Sequence, residues 1–423
     1  MSITPSAFSF LPPGTRPDAR RLLWTRGLRA FGDGFVSLLL PYYLTLLGYH
    51  AFEIGIIITA TLLGSGALTL TVGLLAHRYR QHVMLAGAAL LMACTGVAFM
   101  ATSGFWPLLI VAVIGTVNPS SGDASVFGPL EQSLLTRTVD AVHRTSLFAR
   151  YSLVGSLVGA LGAQSAAAPE LLQQWLAVEP LLAVQAMFAL YGLLGLASFF
   201  IYRQLKPAAD AAPEPAAAPL GRSRKTVYTL AALFSLDSFA GGLAVQSLLA
   251  LWLLDRFDLS LAAAASIFFW TGVLSALSQL AAAPLARRIG LINTMVFTHL
   301  PANVFLILVP FMPNLTLALL FLMLRSALSQ MDVPARSSYV MAVVTPGERA
   351  AAASVTAVPR SLAAAASPAV AGWLLSISAF GWPLVLCGGI KITYDLLLLY
   401  MFRHVRPPEE GEHSVSANTK ETQ

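Results

Sequence analysis

Apolar runs of about 20 residues, the length needed to cross roughly 30 Å of hydrocarbon, recur along the chain with short polar loops between them. They predict twelve membrane helices, near 23–47, 54–76, 83–103, 106–135, 146–168, 181–202, 227–254, 260–286, 291–311, 315–342, 351–377 and 381–402. One longer polar stretch breaks this rhythm. Lys206 to Lys225 reads KPAADAAPEPAAAPLGRSRK, with four prolines, clustered basic residues and no apolar period, as expected of a solvated linker. The chain therefore divides into a cytoplasmic tail (1–22), a first six-helix bundle (23–203), a cytoplasmic linker (204–226), a second six-helix bundle (227–402) and a second tail (403–423).

Composition narrows the class. Of 423 residues 57% are hydrophobic and 11% charged, against about 25% charged in a soluble domain. The net charge of +6 would suggest nucleic acid in a soluble chain, but these basic residues flank apolar runs, so the expected partner is the lipid bilayer. With the N-terminus inside, Arg78, Arg137, Arg203, Arg287, Arg349 and Arg403 fall on the cytoplasmic side. The opposite side holds Arg256 beside Glu53, Glu170, Glu179, Asp255 and Asp258. This asymmetry predicts a multi-pass protein of the cell (inner) membrane with both termini cytoplasmic. The first 25 residues carry Pro5, Pro12, Pro13 and Pro17 and no signal-peptide apolar core. Cys94 and Cys387 lie singly in apolar runs, which argues against a disulfide framework. No clustered metal ligands, nucleophile triad or nucleotide loop is present, so no cofactor or metal is expected and the chain does not read as an enzyme.

The two halves repeat. A shift of 205 residues aligns Pro129 with Pro334, Arg144 with Arg349 and Ser156 with Ser361, and a shift of 204 aligns Asp33 with Asp237 and Phe35 with Phe239. Such a repeat, in one orientation, predicts two pseudo-symmetric bundles in an all-α membrane protein.

Several motifs carry a family likeness. Gly73-Leu74-Leu75-Ala76-His77-Arg78 follows the second span, Pro284-Leu285-Ala286-Arg287-Arg288-Ile289-Gly290 the eighth, and Val344-Thr345-Pro346-Gly347-Glu348-Arg349 leads into the eleventh. With these the chain resembles the major facilitator superfamily over nearly its whole length, although His77 stands where that family usually has an aspartate. The resemblance implies alternating access about a central cavity lined by helices 1, 4, 7 and 10. It also makes Gly73, His77, Arg78 and Arg349 the conformational loop residues.

An ionisable side chain in the bilayer core costs at least about 2.5 kcal/mol and so needs a partner or a role. Asp33, Asp123, Asp237 and Arg325 fall on the four cavity helices, three carboxylates against one arginine, a balance that favours a cationic substrate or proton coupling. Asp237 lies about 18 Å along its helix from Lys225 and is the leading substrate or proton site, with Ser235, Ser238 or a neighbouring helix as its alternative, structural partners. Arg29 precedes Asp33 by one turn, at ion-pair spacing. Tyr42, Gln246 and Gln330 are candidate cavity residues. Glu131 and Arg336 occupy equivalent repeat positions and would close an inner gate, unless Arg336 pairs with Asp332 one turn away. Lys391 and Asp395 read as a local pair on the last helix, and His299 as a lone intramembrane histidine. The expected function is secondary active transport of a small molecule by a monomer, coupled to protons, with export favoured over import by family analogy. The alternative is a transporter-like sensor or scaffold that binds a ligand without moving it.

Overall fold

The computed structural model describes residues 11–12, 14–75, 79–120, 125–140, 143–205, 221, 223–345 and 348–403. Most of the linker, the ends of both tails, and Asp123, His77 and Arg78 lie outside the described residues, as does the side chain of Arg349.

Pro17 opens the first helix, where its missing N–H and fixed φ fit the first turn, and Asp18 follows beside the positive helix end. The helices are α1 (Pro17–Leu46), α2 (Ala51–Leu75), α3 (Gln81–Ala101), α4 (Phe105–Ile114), α5 (Phe127–Leu135), α6 (Arg144–Ser165), α7 (Ala168–Leu176) and α8 (Pro180–Tyr202). They continue as α9 (Arg224–Leu243), α10 (Gln246–Phe257), α11 (Leu261–Ile289), α12 (Leu291–Leu308), α13 (Leu315–Leu328), α14 (Asp332–Ala342), α15 (Arg349–Ile377) and α16 (Trp382–Phe402). Gly290, at φ +87°, makes the reversal between α11 and α12 in a conformation that side chains with a Cβ resist.

Among the described residues, nine helices are long and apolar enough to cross a membrane. The expected spans at 23–47, 106–135 and 351–377 fall outside that set for separate reasons. α1 carries Arg26, Arg29 and Asp33 within its length. The third of these stretches is α15, diluted by alanine, two prolines and Arg360. The second is split into the short helices α4 and α5.

The chain forms two compact units. Residues 1–210 with 245–272 make one, and 211–244 with 273–423 the other, so the division does not follow the linker alone. In unit 1 α1 packs on α6 and α8, α3 on α8, and α2 on α4. Glycine permits the closest of these approaches: a Cβ on Gly162 would strike the Phe31 backbone, the small-residue packing that membrane helices use in place of a hydrophobic drive. α10 also belongs here, because the Ser247 hydroxyl donates to the carbonyls of Ser37 at 2.6 Å and Pro119 at 2.9 Å. In unit 2 α9 packs on α15 and α16, and α12 on α16. Its apolar core gathers Phe234, Met295, Val296, Tyr339 and Leu398.

Unit 2 also holds the end of the linker. Glu348, just before α15, accepts from the Gly221 amide at 2.5 Å, the Ser223 hydroxyl at 2.8 Å and the Thr345 hydroxyl at 2.9 Å. Those donors, the Gly221 amide first, lower its carboxyl from the ordinary 4.5 to about 2. A depressed carboxylate contributes stability above its unfolded value and loses it as pH falls toward the folded one. Melting temperatures of wild type and Glu348→Gln in detergent are therefore expected to differ at pH 6 and to converge as the pH is lowered from about 4.5 to 2. A gap that stays constant over that window contradicts the assignment.

Candidate functional site

In unit 1, Thr25, Arg29 and Asp33 recur every four residues and so share one face of α1. That face meets Glu131, which α5 holds fully out of water. One carboxylate oxygen of Glu131 accepts from the Thr25 hydroxyl at 2.8 Å and the Tyr202 hydroxyl at 2.5 Å. The other accepts from the Tyr151 hydroxyl at 2.5 Å and pairs with the Arg29 guanidinium. Four donors from α1, α6 and α8 thus satisfy one buried carboxylate, and Arg29 also lies 4.2 Å from the Phe127 ring centre. Asp33 is buried one turn further along α1, within electrostatic reach of Tyr191, whose hydroxyl donates to the Thr116 carbonyl at 2.9 Å.

Unit 2 has the charge-reversed arrangement. Here the carboxylate is on the first helix, α9: Asp237 is 4% exposed and accepts from Lys391 of α16 at 2.5 Å and lies 3.1 Å from the Arg336 guanidinium of α14. Arg336 is also paired with Asp332. A second polar group adjoins it, in which Asp395 takes His299 at 2.9 Å and the Asn303 amide at 3.0 Å.

These contacts correct several readings. Glu131 is held by Arg29 and Arg336 by Asp332 and Asp237, each inside its own unit, so the pairing of Glu131 with Arg336 is replaced. Of the structural partners expected for Asp237 it is neighbouring helices that hold it, through Lys391 and Arg336, and not Ser235 or Ser238, whose hydroxyls bind the Ala231 carbonyl and the Arg360 Nε. Lys391 and Asp395 do not form a local pair, because α9 and α12 offer each a closer partner across the helix interface. His299 is joined by Asn303, one turn on and facing the same carboxylate. That spacing, four residues on one helix, was the signal available for it.

The remaining candidates are dispersed. Arg325 is half-buried on α13 and has no carboxylate partner among the described residues. Gln330 sits half-buried at the break between α13 and α14, and Tyr42 is half-buried near the end of α1. Gln246 donates to the Ser37 hydroxyl at 2.9 Å. Gly73 is exposed on α2 with nothing near its missing side chain. An apolar cavity of about 660 Å³ runs along α1 and α6, walled by Leu23, Trp24, Phe31, Val154 and Val158, with Arg20 its one charged lining residue. Among the described residues no three metal-binding side chains gather.

An all-helical chain with many apolar helices and ion pairs compensated inside its helical units is a multi-pass membrane protein. The family profile described as Major Facilitator Superfamily matches residues 22–330, and the chain belongs to that superfamily. It is 25% identical over 419 residues to an uncharacterized membrane protein of Saccharomyces cerevisiae, covering 90% of this chain and 93% of that one. A mutant of the nucleoside transporter NupG shares the fold with a TM-score of 0.71 at 13% identity, over 91% of this chain and 100% of that one. So does a bacterial homologue of the human lysosomal transporter Spinster, with a TM-score of 0.68 at 16% identity over 90% and 94%. The chain is accordingly a membrane transporter rather than an enzyme.

The Arg29–Glu131 pair generates a direct test. Removing one partner of a buried pair leaves an uncompensated charge and costs about 3–5 kcal/mol, whereas replacing both with apolar groups is often neutral. Arg29→Met and Glu131→Met are each expected to lower the melting temperature sharply, and the double variant to recover most of the loss. Additive losses in the double variant would contradict the pairing.

Proposed function

We propose that this chain is a secondary active transporter of a small molecule that works by alternating access and is coupled to protons. The observation that carries this reading is the set of interrupted helices. Apolar segments expected to span as single helices are instead α4 and α5, α9 and α10, and α13 and α14. Non-helical backbone at membrane depth is tolerated only inside protein or beside a water-filled cavity, and transporters place such breaks at their binding sites. The breaks fall on the fourth, seventh and tenth expected spans, three of the four that the superfamily resemblance assigns to the cavity. Joining the halves of each broken helix gives twelve spans in two six-helix bundles, with the termini and linker on the cytoplasmic side.

Asp33, Asp123, Asp237 and Arg325 remain the proposed proton and substrate groups. Taking up a proton on Asp237 removes the charge that holds Lys391 and Arg336 together, so the three helices α9, α14 and α16 gain freedom to shift. The α10 contacts with Ser37 and Pro119 act in this scheme as a clasp that must open in each cycle. Direction is proposed as export, on family analogy.

The test uses proteoliposomes loaded with a pH-sensitive dye and challenged with organic cations, organic anions, nucleosides and peptides. Wild type is expected to couple one of these classes to proton movement, and Asp237→Asn to lose it. Cross-linking Ser37→Cys to Gln246→Cys in a protein lacking Cys94 and Cys387 is expected to arrest the flux. Ligand binding without flux would replace transport with the sensor reading.

A further inference from the structure

We infer that the substrate is anionic and that Arg360 receives its charged group, a carboxylate or a phosphate. The inference rests on the transport reading and adds its substrate class.

Arg360 lies about 16 Å along α15 from the helix start and is half-buried. Its Nε donates to the Ser238 hydroxyl at 3.3 Å, and among the described residues no carboxylate pairs with it. The bond to Ser238 fixes one edge of the guanidinium and leaves the terminal nitrogens for another acceptor. Asp237, Asp332, Arg336 and Tyr394 all stand within electrostatic reach of it.

The carboxylates in that neighbourhood are already engaged. Asp237 holds Lys391 and Arg336, and Asp332 holds Arg336. Three cations therefore face two carboxylates. Two further donors, the Arg336 Nε and the Tyr394 hydroxyl, are buried with no hydrogen-bond partner among the described residues. A further buried carboxylate of unit 2, Asp395, is hydrogen-bonded by His299 and Asn303. Arg325 adds another cation without a carboxylate partner among the described residues. An uncompensated charge at membrane depth is strongly unfavourable, and a planar guanidinium fork matches a carboxylate or phosphate edge. An anionic ligand supplies the acceptor that Arg360 lacks, whereas a cationic one sets another cation beside it.

This reverses the preference for a cationic substrate drawn from the sequence. That balance set three carboxylates against one arginine, but Asp237 brings Lys391 and Arg336 with it, and Arg360 was not counted.

The experiment is a thermal-shift titration of the purified protein with sodium phosphate, sulfate, succinate and citrate, and with choline and tetraphenylphosphonium as cations. Wild type is expected to be stabilised saturably by at least one anion. Arg360→Gln is expected to lose that rise, which separates a site from the general stabilising effect of such salts. Arg360→Lys, which keeps the charge without the fork, is expected to raise the half-saturating concentration about tenfold. No anion shift in wild type, or an unchanged anion shift in Arg360→Gln, overturns the proposal. Should Arg360→Gln fail to fold, an unchanged half-saturation in Arg360→Lys does so. An Arg360-dependent anion shift with no flux in proteoliposomes would remove the transport reading and leave the anion site standing. Cation-driven flux without an anion shift would do the reverse.

Discussion

A charge inside a hydrocarbon layer has no water to solvate it, so each one must be met by another charge, a hydrogen bond or a ligand. This constraint organises both units. In unit 1 it draws Thr25, Arg29, Tyr151 and Tyr202 onto Glu131, and so fixes how α1, α5, α6 and α8 meet. In unit 2 it draws Lys391 and Arg336 onto Asp237 and joins α9, α14 and α16. The two solutions use opposite signs at equivalent positions: Glu131 and Arg336 correspond in the repeat, and each takes its counter-charge from the first helix of its unit. The repeat thus conserves the need for an ion pair between those helices while leaving its polarity free.

Within this arrangement, groups that are fully compensated hold helices together, and groups left over are available to a ligand. Glu131 belongs to the first kind, with four donors directed at its two oxygens. Arg360 and Arg325, which pair with no carboxylate among the described residues, are proposed to belong to the second. Asp237 stands between them, because it is compensated by two cations of which one, Arg336, has another carboxylate to fall back on. With Asp332 beside it, Arg336 stays paired when Asp237 loses its charge, whereas Lys391 is released.

The all-helical membrane fold was legible in the sequence, because membrane spans are announced by length and apolarity. Pro119 falls in the gap between α4 and α5, yet Pro41, Pro284, Pro301, Pro359 and Pro368 all lie inside continuous helices. The breaks at Ala244–Val245 and Ser329–Met331 contain no proline at all. Proline alone therefore does not locate the interruptions. The site was less legible for a geometric reason. Spacing along one helix relates Lys391 to Asp395, Arg29 to Asp33 and Asp332 to Arg336, but Arg29–Glu131 and Lys391–Asp237 join different helices, and which helices face one another is set by small-residue packing such as that of Gly162 against Phe31. Periodicity cannot report that.

The central claim is that the interrupted helices line a path opened alternately to the two sides of the membrane. Gln330, at the break between α13 and α14, reports on it most directly. In a protein lacking Cys94 and Cys387, Gln330→Cys in proteoliposomes would be treated with a membrane-impermeant thiol reagent from either face, under pH gradients of both signs. The account predicts labelling that shifts from one face to the other as the gradient is reversed. Labelling from neither face, or from one face regardless of the gradient, would contradict it.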